Sequence, residues 1–487
     1  MHIDAPRTTA DTSTPDDRPW WRLLNRYHWF VLVVAVLGWS FDTMDQQMFN
    51  LARRPALTEL MGTRGASESS TSPAPAAKEQ VDWGTTLSTS IFMIGWAVGG
   101  LIFGVLGDKI GRARTMVLTI LLYSLFTGLS ALSTSFWDFS LYRFLTGLGV
   151  GGEFAVGVAL VAEVIPERAR THALGWVQAF SAIGNITAAL ITISLGALEK
   201  SGSVPFGLSP WRVMFLIGAL PALLAVVVRM GLKEPERWRS VARQSEEQGS
   251  APGAAPQLGS IAELFGDPTL RRNTIVGMLL AFSGVVGLWA IGFFSFDLFR
   301  VAFRQILQSQ GVSGDELEGR LTSYTGFISL FQNTGAFFGV YAFARITQIV
   351  GRKPTFAIMF VLAMLSTAFT FWFIGRLGGV GTAYAMVFVM GFCQIALFGG
   401  YAIYFPELFP TRLRATGTSF CYNVGRLVAA IGPFFLGYLT SVAFKWTERY
   451  GPDWPMRSAC VTMCSIFLVG LVALAFAPET KDQPLPD

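Results

Sequence analysis

Glu163-Val-Ile-Pro-Glu-Arg-Ala-Arg170 and Glu407-Leu-Phe-Pro-Thr-Arg-Leu-Arg414 are two versions of one charged stretch, and each follows a long apolar run. Their matched residues keep a constant interval, 407 − 163 = 414 − 170 = 244. Gly111-Arg112 and Gly351-Arg352 form a second pair, with 351 − 111 = 240. Charged punctuation that recurs half a chain later, between apolar runs, predicts two equivalent membrane-embedded bundles.

Composition agrees. Of 487 residues, 52% are hydrophobic and 14% charged, and mean hydropathy is +0.47. A soluble domain carries about 25% charged residues. The 51 glycines and 41 phenylalanines suit a lipid-embedded bundle, where small residues let helices approach and large ones face lipid. The net charge of +5 points to no nucleic-acid partner, because lysines and arginines are dispersed between apolar spans. Cys393, Cys421, Cys460 and Cys464 lie in apolar segments at spacings that match no metal site. They read as small buried hydrophobes, and no metal or cofactor is expected. Residues 1–19 are polar and the first apolar run is too long for a signal-peptide core, so no cleavable signal is expected.

Apolar runs of roughly 20 residues, enough to cross a bilayer, recur twelve times. The first six lie near 29–50, 84–106, 114–134, 137–164, 170–198 and 210–231. The second six lie near 274–302, 322–347, 354–376, 379–405, 412–440 and 457–477. Connections on one side hold Lys109, Arg112 and Arg114, then Arg168 and Arg170, then Lys233 to Arg272, then Arg345, Arg352 and Lys353, then Arg412 and Arg414. The positive-inside rule makes that side the cytoplasm and places both termini there. The expected protein is all-α, with twelve transmembrane helices in two pseudo-symmetric six-helix bundles. Residues 1–28 form a cytoplasmic tail, 29–231 the first bundle with a periplasmic insert at 51–83, 232–273 a cytoplasmic linker, 274–477 the second bundle and 478–487 a second tail. Residues 62–80 and 244–259 read as loops, and Ile261–Phe265 as a short amphipathic helix on the membrane surface.

Gly104-Val-Leu-Gly-Asp108-Lys-Ile-Gly111-Arg112-Ala-Arg114 resembles the signature loop of the major facilitator superfamily. A turn this short needs glycines, and Asp108 beside several cations can latch to a neighbouring helix end and later release it. In the second half Gln348 stands where Asp108 would repeat, although Gly351, Arg352 and Lys353 persist. Arg143 to Glu153, with Gly147, Gly149, Gly151 and Gly152, is similar to a pattern of sugar porters and of aromatic-acid and sialate proton symporters. Pro478-Glu479-Thr480-Lys481 resembles the closing motif of sugar porters. The resemblance implies rocker-switch alternating access. Glu163 and Glu407 would bridge to Arg112 and Arg352 when the carrier opens outward, with Gly104, Asp108, Gly111, Arg168, Arg412 and Glu479 completing a cytoplasmic gate.

A charge at the bilayer centre costs about 2.5–3.5 kcal/mol on insertion scales, so intramembrane charges need reasons. Asp42 and Asp45 sit three apart in the first span and share a helix face. Asp42 resembles the span-one aspartate that pairs with a span-four arginine, here Arg143, in proton-coupled sugar porters. One reading is a proton switch, with Asp42 and Asp45 both candidate proton sites: protonation of Asp42 frees Arg143 and the helices rearrange. The other is a static ion pair that fixes packing. Glu153 is either a structural contact or a second proton site. Ser419, Asn423 and Arg426 form one polar stripe on the eleventh span. Arg426 resembles the arginine of organic-anion symporters and is suited to bidentate carboxylate binding, with a structural hydrogen bond as the alternative.

Gln178, Ser181 and Asn185 share a face of the fifth span, and Gln332, Asn333, Trp289, Gln394, Tyr401 and Tyr404 supply further cavity candidates. The seventh span, Phe282-Ser-Gly-Val-Val-Gly-Leu-Trp289, lacks the amide cluster with which sugar porters hold a hexose. A small carboxylate is therefore the expected substrate, imported with protons by a monomer in the plasma membrane; a sugar or polyol is the alternative. An efflux antiporter is disfavoured because residues 170–198 contain no proline. A nutrient sensor is disfavoured by the lack of long cytoplasmic extensions. An enzyme is not expected, because no histidine, nucleophile triad or metal cluster falls in a mid-membrane stretch.

Overall fold

In the computed structural model, glycine turns and side-chain caps set the helix ends. The structure describes residues 18–61, 75–248, 257–288, 310–429, 432–451 and 453–486, with 298–299, 302–304 and 306–308 between them. The first bundle comprises α1 (Arg26–Leu60), α2 (Pro75–Lys109), α3 (Arg112–Ser130), α4 (Phe136–Val164), α5 (Glu167–Ala179 continued by Ser181–Lys200) and α6 (Pro210–Ile217 continued by Ala222–Gly231). The second comprises α7 (opening as Pro268–Val285), α8 (Gly314–Val350), α9 (Arg352–Phe373), α10 (Val380–Leu408), α11 (Arg414–Ala429 continued by Gly432–Tyr438) and α12 (Trp454–Met463 continued by Ile466–Phe476). Among the described residues, eight of these are long and apolar enough to cross a membrane by themselves. The others complete the expected twelve-helix, two-bundle architecture.

Two expectations change. The first helix does not stop near residue 50 but runs through Pro55 to Leu60. Arg53 and Arg54 make this stretch look like a loop, yet Ala52, Ala56 and Leu57 are buried on one face. Glu59 then ties the helix end down by accepting from Ser209, the Trp211 indole and Arg212. The insert is therefore helical up to Leu60 and again from Pro75, and residues 62–74 lie outside the described set. The linker likewise contains a helix, Glu236–Gln248, before the expected short one at Ile261–Gly266.

The internal repeat runs deeper than the two pairs read from the sequence. Gly111 (φ 110°) and Gly351 (φ 101°) occupy backbone conformations that favour glycine and turn α2 into α3 and α8 into α9. The helices they launch are capped alike. Glu234 accepts from the backbone N–H of Ala113 and Arg114, and Glu479 from those of Arg352 and Lys353, with 479 − 234 = 245. At the far end Arg212 caps α3 through the Ala131 carbonyl and pairs with Glu59. Its counterpart Arg457 (457 − 212 = 245) donates to the carbonyls of Phe371 and Ile374 and pairs with Asp453. Each bundle is thus stapled by one buried or half-buried arginine that closes a helix C-terminus.

Arg457 is fully buried, whereas the Arg212–Glu59 pair is about a fifth exposed. Removing one partner of a buried pair costs about 3–5 kcal/mol, against about 1 kcal/mol for an exposed one. Arg457→Ala is therefore expected to lower the thermal unfolding midpoint in detergent more than Arg212→Ala; the reverse order would refute this ranking. Glu479 titrates below the ordinary carboxylate range. Partial burial opposes its ionisation, but the backbone N–H groups of Arg352, Lys353, Lys481 and Thr480 outweigh it. Its stabilising contribution is complete above about pH 4.3, the ordinary carboxylate value, and is lost as pH falls through its lower folded value. Stability of Glu479→Gln measured against pH should converge on wild type only in that acid range.

Candidate functional site

The end of the bundle that carries Asp108 and Glu163 also holds both described chain ends. Trp20 packs on His172 and Trp176 at the start of α5, and the Pro486 carbonyl accepts from Arg414 at the start of α11. Here the two bundles are locked together. Glu163 accepts from Arg112 of its own bundle and from Arg414 of the other, each at 2.9 Å. Arg112 also reaches Asp108 at 3.0 Å and the Thr411 carbonyl at 2.7 Å. Asp108 caps α11, accepting from the backbone N–H of Thr416 at 2.8 Å and its hydroxyl at 2.6 Å. Gly104 and Gly100 of α2 let α11 approach, so that the Ser419 hydroxyl donates to the Gly100 carbonyl at 2.5 Å. In the second bundle Arg352 grips Glu407 with two nitrogens and reaches across to the Thr171 hydroxyl at 3.2 Å.

Four expected gate residues are placed differently. Arg168 is exposed at the head of α5, and Arg170 is the buried arginine of that turn. Arg412 pairs with Glu263 of the short linker helix at 2.5 Å rather than closing on a glutamate of the repeat. Glu479 and Gly111 act within single bundles, as cap and turn. Arg414 and Glu234 are the residues the sequence reading undervalued.

Deeper in the bundle the expected Asp42–Arg143 pair is replaced by another. Arg143 lies 3.5 Å from Asp45, donates to Ser130 and Thr146, and stacks on Phe215 with 4.6 Å to the ring centre. Asp45 also accepts from Thr127 at 2.7 Å. Asp42 instead meets Glu153 of α4, in the field of Arg426 of α11. No other residue donates to the oxygens of either carboxyl among the described residues. A hydrogen bond between the two therefore exists only when one of them carries a proton.

Arg426 faces a central cavity of about 150 Å³ between the bundles, with Trp39, Gln46, Trp96, Gln178, Gln332 and Asn333 among its walls. Asn185 also lines it and donates across to Asn333 at 2.9 Å. The guanidinium is sandwiched between the rings of Trp96 (3.8 Å) and Tyr422 (4.1 Å), while Asn423 accepts from Nη1 at 3.2 Å. With both faces covered, a ligand can meet it only edge-on, the geometry of a bidentate carboxylate. Among the described residues its Nε, the Trp39 indole N–H and the Gln46 amide nitrogen have no partner, nor does the Gln178 amide oxygen. Three unspent donors and one acceptor favour an anion.

Gln394 and Tyr401 do not line this cavity. Gln394 donates to Thr367 between α9 and α10, and the Tyr401 hydroxyl donates to the Leu280 carbonyl. Tyr404 is likewise spent, on the Pro478 carbonyl. Asn423 supports Arg426 from behind. Trp289 lies outside the described residues. Trp96 and Tyr422 were hidden because single aromatics in apolar helices look like packing; Tyr422, one turn before Arg426, was the available clue.

Two six-helix bundles around a central polar cavity, locked at one end, define a membrane transporter. The chain belongs to the Major Facilitator Superfamily, which it matches over residues 29–433. A Cupriavidus pinatubonensis protein described as a probable 4-methylmuconolactone transporter is 30% identical over 450 residues, covering 91% of this chain and 89% of its own. A cis,cis-muconate transport protein of Acinetobacter baylyi is 28% identical over 354 residues, covering 72% and 77%. Among solved structures the proton:xylose symporter XylE aligns at a TM-score of 0.67 with 17% identity, covering 94% of this chain and 98% of that one, a likeness of fold.

Because Glu163 is shared by two arginines of opposite bundles, Glu163→Gln should loosen the locked end. Spin labels at the exposed Glu167 and the half-buried Lys353 are expected to show a longer distance component in this variant by pulsed electron–electron double resonance. An unchanged distribution would show that the shared carboxylate does not hold the bundles together.

Proposed function

We propose that this transporter imports a small organic carboxylate together with protons, by rocker-switch alternating access. The observation that carries the reading is the edge-on guanidinium of Arg426 beside the Asp42–Glu153 pair. Charge balance supplies the coupling. One proton shared by Asp42 and Glu153 leaves a single negative charge, which Arg426 neutralises. A substrate carboxylate that takes over Arg426 strands that charge, and a second proton restores neutrality in a medium where net charge is costly. Substrate and proton then travel together. Asp45 and Arg143, already closed on each other and on hydroxyls, serve as a static brace.

Orientation follows from the charge asymmetry of the connections: the locked end faces the cytoplasm, and the cavity loads from outside. Loading and neutralisation would be followed by parting of Glu163 from Arg414 and of Asp108 from Thr416, which opens the cytoplasmic side. The relatives that transport cis,cis-muconate and 4-methylmuconolactone support an organic acid as the class of substrate.

Uptake into proteoliposomes under an imposed pH gradient, with muconate, nicotinate and xylose as probes, tests the proposal. A carboxylate should accumulate and xylose should not. Losing one partner of a desolvated charge pair costs about 2–5 kcal/mol, so Arg426→Ala should lower carboxylate affinity by at least about 30-fold. Asp42→Asn should abolish accumulation against a gradient while leaving exchange of substrate across the membrane. Accumulation of xylose with indifference to Arg426→Ala would favour a sugar or polyol carrier instead.

A further inference from the structure

A second cavity, of about 370 Å³, lies on the outer flank of the first bundle between α1 and α5. Its walls include Trp29, Val33, Leu37 and Phe41 from α1, and Trp176 and Phe180 from α5. Two hydroxyls reach it and both are spent on backbone: Ser40 donates to the Phe180 carbonyl and Thr187 to the Ile183 carbonyl. From Trp29 to Met44 the α1 wall runs fifteen residues, about 22 Å at the helical rise of 1.5 Å per residue. That exceeds the half-thickness of a bilayer's hydrocarbon core, about 15 Å.

The mouth of this groove is at the end that carries the chain termini, and it is aromatic and basic. Trp20, on the short helical turn Trp20–Leu23, lies over it, within 6.2 Å of the Trp29 ring and 6.0 Å of the Trp176 ring. Trp21 and Trp29 are exposed beside it, as indoles at a membrane interface are. Helical periodicity then brings two arginines to the mouth. Arg26 is seven residues before Val33, on the same face of α1, and Arg168 is eight before Trp176, on the same face of α5. Both are exposed, as is Arg22, and none of the three forms an ion pair among the described residues. Glu167 is the neighbouring acid.

We propose that this groove is a binding site for an anionic phospholipid. One acyl chain lies along α1 and α5, and the headgroup phosphate is held by Arg26 and Arg168, with Arg22 at hand. The bilayer that surrounds these helices supplies the occupant, and the charge at the mouth selects it. This gives Arg168, exposed and absent from the cytoplasmic lock, a use.

Native mass spectrometry of the full-length protein in detergent, titrated with phosphatidylglycerol or phosphatidylcholine, tests the site. Wild type should retain phosphatidylglycerol in preference to phosphatidylcholine. An arginine near an anionic headgroup is worth roughly fivefold in binding, so the Arg26→Gln/Arg168→Gln double variant should bind phosphatidylglycerol about 25-fold more weakly, with phosphatidylcholine unaffected. Both positions are exposed, so the variant is expected to fold, and its unfolding midpoint checks this. Leu37→Trp, which fills the groove, should lose both lipids. Equal retention of the two lipids by wild type, unchanged phosphatidylglycerol binding by the double variant, or full binding by Leu37→Trp would each overturn the proposal.

Discussion

A charge held in hydrocarbon must be answered on the spot, and this requirement organises the interior of the protein. Several of the buried charges meet a countercharge directly. Arg457 is closed by Asp453 and helix-end carbonyls, Arg352 by Glu407, Arg143 by Asp45 and hydroxyls, and Glu163 by two arginines. Such closed sets fix geometry. Asp42, Glu153 and Arg426 are the set left open: two carboxyls face one guanidinium, and among the described residues no other group donates to any of the four carboxyl oxygens. An open set needs something from outside the protein, and in this reading a proton and an anion fill the need.

The open set and the lock share a helix. Thr416, Ser419, Asn423 and Arg426 recur every three or four residues on one stripe of α11. Thr416 engages Asp108, Ser419 engages the Gly100 carbonyl, Asn423 supports Arg426, and Arg426 faces the cavity. A shift of α11 on substrate binding therefore bears directly on the contacts that hold the locked end closed. Helix α4 runs parallel in function, with Glu153 beside Asp42, Phe154 stacked on Tyr422 and Glu163 in the lock.

The bundle architecture was legible because charges in a membrane chain are few and sit at its edges, so the repeat of Glu163 to Arg170 at Glu407 to Arg414 stands out. The pairing of Glu163 with Arg112 and of Glu407 with Arg352 followed from family likeness and reappears in the geometry. Partner choice was less legible. Asp42 and Asp45 lie about 60° apart around one helix, and sequence alone cannot say which meets Arg143. Arg168 and Arg170 lie on nearly opposite faces, and the buried one was the one passed over. Gln394 and Tyr401 looked like cavity residues because a polar group in an apolar helix needs a partner; both find theirs in neighbouring helices. Polar caps with no local pattern, such as Glu234 and Glu59, become visible only when distant segments meet.

The central claim is that anion binding at Arg426 draws a proton onto the Asp42–Glu153 pair. Isothermal titration calorimetry with the carboxylate selected by the uptake assay, run in buffers of different ionisation enthalpy, counts the protons taken up on binding. The account predicts uptake of about one proton per carboxylate bound, as the charge balance requires, and its loss in the Asp42→Asn/Glu153→Gln double variant. Binding with no proton uptake by wild type, or uptake that survives the double variant, would contradict it.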